Sequence, residues 1–157
     1  MLVRARGVGR PMPPRSWFHR VTSPCDGEFV VGVRTATRPA DWALMAFGHV
    51  VGQELTTAIE AADLRRRGYP EASGAIAFKL MLQAASGAGP IAAIQGVWMT
   101  TSDNLRSFHA SIASGATPPA AATMTWTGRQ AGQSGYTEAN VKISTAHRVI
   151  VQFTRPP

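Results

Sequence analysis

Four histidines, His19, His49, His109 and His147, stand in a chain whose 16 basic residues are all arginine except Lys79 and Lys142. Histidine titrates near pH 6.5 (roughly), so it can take and return a proton at neutral pH. Arginine presents a planar fork that donates two parallel hydrogen bonds to a phosphate. Together these residue types suit proton transfer beside a phosphate group. The balance of charge supports the same reading. Nine acidic residues leave a net charge of +7. From Asn104 to the C-terminus, Arg106, Arg129, Lys142, Arg148 and Arg155 face Glu138 alone. Such an excess favours a polyanion, or an acidic protein, as partner.

Other chemistries lack their residues. Cys25 is the single cysteine, so no internal disulfide exists, and no Cys–His cluster surrounds it. It reads as a buried or incidental thiol rather than a reactive one. No zinc site or other metal site is expected, and no cofactor. The chain has no P-loop, no dinucleotide-binding glycine pattern, no Gly-x-Ser-x-Gly elbow and no His-Glu-x-x-His motif. Arg4, Arg6, Arg10, Arg15 and Arg20 interrupt the N-terminal region, which therefore does not resemble a secretory signal. The most apolar window, Trp42 to Val51, is too short to span a bilayer. No membrane insertion is expected. The location implied is cytoplasmic, or export by a dedicated machine as part of a larger effector.

The elements that must position these residues follow from pattern. Residues 1–25 combine prolines, arginines and little apolar content, and read as a flexible basic arm. Residues 26–157 read as one α+β domain. Glu28 to Arg34 is β-branched and aromatic, a strand. A long helix is expected from Thr37 to Gly68, with Trp42, Met45, Ala46, Val50, Leu55, Ala58, Ile59 and Ala62 near helical spacing. Arg65, Arg66 and Arg67 then fall in its last turn, as a phosphate clamp or as dipole partners. A second helix, apolar almost all round, is expected over Pro70 to Ala85. Ile94 to Met99 reads as a strand. Ser102 or Asp103 caps a helix bearing Leu105, Phe108 and Ile112, closed by Gly115. Thr117-Pro118-Pro119 opens another helix, which Gly128 weakens or breaks. Val141 to Phe153 closes the chain as a hairpin turning at Thr145 to Arg148. The fold class is therefore α+β, with N-terminal helices followed by a small antiparallel sheet and two inserted helices.

The C-terminal part carries a resemblance. Its residues are the Gly96-Val97-Trp98 strand, Asp103-Asn104-Leu105 with Phe108, Gly115, and Ala121 with Thr125, Thr127-Gly128 and Ala131. Gly135-Tyr136-Thr137 and Val151-x-Phe153 follow. Over about residues 94–153 this layout resembles the C-terminal toxin domains of bacterial polymorphic toxins of the contact-dependent and Rhs types. Many such tips resemble small ribonucleases of the barnase, EndoU and RelE-like kind. The resemblance implies a monomeric, metal-independent endoribonuclease effector, secreted as part of a larger protein and neutralised at home by an acidic immunity protein. Its RNA would lie on a basic face of the sheet. No catalytic set matches residue by residue, because active residues vary among those families.

Cleavage without a metal needs a base for the 2′-hydroxyl, an acid for the leaving 5′-oxygen, and donors for the phosphorane. His109, off the core-facing stripe of its helix, and His147, at the hairpin turn, are the proton-transfer candidates. His19 falls in the arm, and His49 reads as a core or rim histidine. Arg129 and Lys142 are the cation candidates, with Lys142 expected on the open side of the sheet. Thr125, Trp126, Thr127, Arg148 and Arg155 are candidates for holding RNA. The two threonines serve equally well as a helix cap or bend, and Trp98 reads as core. Two other readings fit the same residues: a non-catalytic nucleic-acid-binding module, and a phage- or secretion-related structural adaptor.

Overall fold

The computed structural model describes residues 17–157. The greater part of the expected arm, residues 1–16, lies outside the described residues. What remains of it is no arm over His19–Thr22, which forms strand β1.

The described residues build seven strands and five helices. Strands β2 (Glu28–Val33), β3 (Ala43–Val51) and β4 (Glu54–Ile59) follow β1 in an antiparallel meander. Helices α1 (Ala61–Arg66) and α2 (Gly74–Ala88) then carry the chain across to β5 (Ala93–Met99), which runs parallel to β4. Helices α3 (Asp103–Ala113), α4 (Pro118–Met124) and α5 (Trp126–Gln133) precede the hairpin of β6 (Glu138–Ser144) and β7 (Arg148–Thr154). The sheet order is β1-β2-β3-β4-β5-β7-β6. The architecture is mixed α+β, but the expected layout is overturned. Strands come first, the sheet is large, and no helix among the described residues precedes it.

The long helix expected over residues 37–68 is a β-hairpin for most of its length. Two features imitated a helix. Met45 and Ala46 are both buried although adjacent, because the register of β3 against β2 shifts between Val31 and Gly32. That shift breaks the alternation that marks a strand. The turn then hides inside the apparent period. Val51 pairs with Glu54, so Gly52-Gln53 is a two-residue loop, and Gly52 takes φ 61° at its first position. Only glycine adopts that conformation without strain, the signature of a type II′ hairpin. The residual α1 does end at the arginine run, where Gly68 at φ 95° releases the chain.

Helices α1 and α2 pack on β1–β4, α3 and α4 pack on β5 and β6, and α5 packs on α4. Leu55 on β4, Ile94 on β5 and Phe153 on β7 are in register and fully buried. Helix α2 is capped by Ser73, whose hydroxyl accepts from Ile76 N, not by the region of Pro70. It is apolar on one side only, through Ala77, Phe78, Met81 and Ala85. A Cβ at Gly48 would overlap Met81 Sδ, so the missing side chain lets the helix sit close on β3. Each large side chain buried there contributes about 1.5–3 kcal/mol. Trp98 is core, against Phe108 and Phe153.

The helix opened by Thr117 does break, but at Thr125, whose backbone is extended. Thr125 accepts from Gly128 N and donates to Ala122 O. Gly128 is the glycine this bend requires, since a Cβ there would overlap Ala122 O and lie 2.7 Å from Thr123 Cα. Gly132 on the same helix has open space around it. Gly128→Ala is therefore expected to destabilise the domain by about 1–3 kcal/mol through overpacking. Gly132→Ala is expected to stabilise it by about 0.5–1 kcal/mol through helix propensity. Urea denaturation of the two variants beside wild type checks the opposite signs.

Candidate functional site

The topology sorts the chain into two unlike ends. At one end lie the turns β1–β2 and β3–β4 and the starts of β4, β5 and β6, with Asp26, Glu28, Glu54 and Glu138. At the other end β2, β4 and β5 finish and β3 and β7 begin. Arg34, Arg38, Arg65, Arg66, Arg67 and Arg148 gather there, with Asp41, Glu60, Asp63, Glu71 and Asp103 among them. The parallel pair places two strand-to-helix connections at this basic end, where α1 leaves β4 and α3 leaves β5.

A cleft of about 310 Å³ opens at the basic end. Its lining includes Gly74, Asp103, Asn104 and Trp126, the opening residues of α2, α3 and α5, together with Ile59, Ala61, Ala62 and Arg65. Three helices of 15, 11 and 8 residues thus direct their positive dipole ends to one cleft. The caps occupy some first-turn donors. Ser102 accepts from Asn104 N, and Thr125 accepts from Gly128 N. The N–H groups of Gly74, Asp103 and Trp126 have no acceptor among the described residues. Asn104 is held rigidly: its amide donates to Thr127 Oγ1 at 2.8 Å, and its oxygen accepts from Thr127 N at 3.3 Å. Trp126 packs edge-on against Phe78. Gly74 makes room for that indole, since a Cβ there would lie 3.0 Å from Trp126 Cζ2. Such a cleft favours an anion, with Asp103 as the one acidic group in its lining; Asp103 is drawn outward to Arg106.

The expected residues fall into separate groups. His109 Nε2 donates to Thr145 O at 3.1 Å, on the hairpin loop that carries His147 and Arg148. The Thr145 hydroxyl accepts from His147 N and Arg148 N, at 3.3 and 3.0 Å. The fold therefore brings His109, His147 and Arg148 to one turn, and Thr145, unmarked in the sequence, organises it. Trp126 lines the cleft, and Thr127 serves it indirectly by holding Asn104. Thr125 is fully buried and acts as a cap. Arg129 donates to Met124 O on the α4–α5 bend. Arg155 lies past the far end of β7, its guanidinium 4.7 Å from the Tyr136 ring, and takes no part in the basic end.

The open sheet face is largely apolar, with Arg20 and Arg148 exposed on it toward the basic end. It presents Leu44, Phe47, Val51, Val97, Met99 and Ile143, all exposed, while Glu54 is tied down by Gln95 and Gln152. A bulge between Val141 and Ile143 pairs Ile143 with Ile150. Ile143 thereby takes the outward position expected for Lys142, which is the extra residue on the exposed edge strand. His49 is an exposed residue of β3, not a core or rim histidine in a helix. His19 is buried at 4% exposure in β1.

Among the described residues, no three His, Cys, Asp or Glu side chains gather as a metal site, and no helix is long and apolar enough to cross a membrane. Comparison of the chain with family models, curated proteins and solved structures finds no match.

Cys25, far from the cleft, is exposed rather than buried. Its thiol donates to Glu28 Oε2 at 2.8 Å, and that bond, followed by slight desolvation and the nearby carboxylates, raises its pKa above the ordinary value. Removing Glu28 lowers the thiol pKa and enlarges the thiolate fraction. Glu28→Ala is expected to speed maleimide labelling of Cys25 at pH 8 several-fold. An unchanged rate would show that the hydrogen bond does not control the thiol.

Proposed function

We propose that this chain is an RNA-directed domain that holds the phosphate backbone at the basic end of its sheet. We propose further that it cuts the bound RNA without a metal, as an effector toxin of the kind its C-terminal part resembles. The observation that carries the reading is the convergence of three helix N-termini and Arg65 on one cleft. Unpaired backbone donors and dipole ends of one sign select an anion, and phosphate is the anion such sites accommodate best.

The hairpin beside α3 supplies the groups for cleavage. His109 donates through Nε2, which leaves Nδ1 with a lone pair to accept the 2′-hydroxyl proton. The 2′-oxygen then attacks phosphorus and the bond to the 5′-oxygen breaks. His147 in its protonated form returns a proton to that leaving oxygen. Arg148, three residues beyond Thr145 and held there by its N–H to the Thr145 hydroxyl, supplies a cation for the charge that builds on the phosphorane.

One observation favours binding without cleavage. Asn104 and His109 both lie on α3 but project roughly 140° apart around its axis, so the cleft and the histidine pair address different sides of the helix. The alternative function is a nucleic-acid-binding module without chemistry.

The test is incubation with total RNA in excess EDTA, beside His109→Ala, His147→Ala and Arg65→Ala. Cleavage by wild type is expected, with a loss of about 10²–10⁴ in each histidine variant and weaker, less salt-sensitive RNA binding in Arg65→Ala. Cleavage retained in both histidine variants would discard these catalytic assignments. Salt-dependent binding with no cleavage would establish the binding module. Neither binding nor cleavage would end the RNA reading.

A further inference from the structure

The basic end carries a second surface, on the open face near the edge strands. Gly32 leaves the outward side of β2 bare, and the Trp42 indole lies across it; a Cβ on Gly32 would meet the ring at 3.2 Å. The Arg34 guanidinium stands 4.6 Å from the Trp42 centroid and 4.0 Å from that of Trp17. Arg20, paired with Gly32 across the β1–β2 ladder, places its guanidinium 4.4 Å from the Trp42 centroid. Two indoles and two guanidinium groups therefore form one continuous cluster. Five arginine–aromatic pairs occur among the described residues, where a domain of this size has about two. Three of the five belong to this cluster.

The two arginines are used differently. Arg34 is consumed by the fold: it donates to Trp17 O at 2.9 Å and to Pro39 O at 3.0 Å while contacting both rings. Arg20 is engaged only through its contact with Trp42. It makes no hydrogen bond or ion pair among the described residues, and it is exposed. Trp17 is 37% exposed, held by Arg34 and by an edge contact with Phe18. Three components of a site for single strands are thus present: an aromatic surface, an exposed guanidinium, and a surplus of positive charge. The sequence before Trp17 adds Arg4, Arg6, Arg10 and Arg15 with no acid.

We infer that Trp17, Arg34, Trp42 and Arg20 form a stacking site for single-stranded RNA, distinct from the cleft, in which an unpaired base stacks on Trp17 and Arg20 meets a backbone phosphate. This rests on the RNA reading above and extends it from a phosphate site to a preference for unpaired strands. Base stacking on an aromatic side chain tolerates any base, so the site selects strandedness rather than sequence.

The experiment measures binding of a fluorescein-labelled single-stranded oligouridylate, about twelve nucleotides long to cover such a site. A duplex of the same length is measured in parallel. The proteins are wild type, Trp17→Ala, Trp17→Phe, Arg20→Ala and Arg65→Ala. Thermal melts confirm folding, and the exposed Arg20 provides a variant that leaves the indoles in place. Trp17→Ala is expected to weaken single-strand binding at least about fivefold, with Trp17→Phe restoring most of it and duplex binding little changed. Arg20→Ala is expected to lower the slope of log affinity against log salt by about 0.7. Wild-type affinity in both Trp17→Ala and Arg20→Ala, with a loss in Arg65→Ala, would overturn the stacking site and leave the cleft reading intact. Failure of wild type to bind either RNA would remove both. RNA binding unchanged, with loss of binding to polyglutamate, would assign the cluster to an acidic protein and overturn the proposal.

Discussion

The two halves of the sheet are joined by a short parallel pairing and one carboxylate. Only Glu54, Leu55 and Thr56 on β4 pair with Ala93, Ile94 and Gln95 on β5. Glu54 extends this seam sideways, accepting from Gln95 on β5 and Gln152 on β7. Gln53 O receives Ala92 N and Ala93 N at 2.8 and 3.2 Å, which fixes where β5 enters. A parallel pair requires a crossover, and the crossover here is α1 with α2. Once β4 and β5 run the same way, the helices leaving them start at the same end of the sheet. The position of the cleft is a consequence of that seam, at the carboxyl ends of parallel strands where α/β sheets commonly seat ligands.

The same topology separates charge along the strands. The end near Gly27 and Gly52 holds four of the nine acidic residues and few arginines, whereas most arginines stand at the other end, together with Asp41, Glu60, Asp63, Glu71 and Asp103. Few of these arginines are neutralised. The ion pairs among the described residues join Asp63 to Arg66 and Arg67, and Asp103 to Arg106, all near neighbours on exposed helical surface. Such pairs contribute little stability. The arginine excess is therefore available at the surface, and its field acts on a partner more than on the fold.

The second half of the chain was legible because each element there has its own punctuation. Ser102 caps α3, Gly115 ends it, Thr117-Pro118 opens α4, and β7 alternates as a hairpin strand should. The first half was not, since its local signals conflict with its tertiary pairing. Met45 and Ala46 are both buried because β3 bulges there, with Met45 as the extra residue, and no residue type in β3 announces a bulge. Gly52 was the available signal, a glycine opening a two-residue loop between β-branched runs. Of the candidate site, His109 and His147 were each picked out by residue chemistry, and the fold sets His109 against the loop that carries His147 through its bond to Thr145 O. The cleft did not show itself, because Gly74, Asn104 and Trp126 become neighbours only when three helix starts meet. The tryptophan–arginine cluster was equally hidden, with Trp17 assigned to an arm and Trp42 to a helix.

The bulge at Lys142 bears on how the molecule behaves in company. Among the described residues the sheet has two unpaired borders, and each is a template on which another chain can build. On β6 the inserted residue breaks the even spacing of backbone donors and acceptors and sets a charge at the interruption. On the other side β1 is only four residues long and carries Arg20. With six large apolar side chains exposed on the open sheet face, these short or interrupted, positively charged borders resist edge-to-edge stacking into fibrils in a crowded solution.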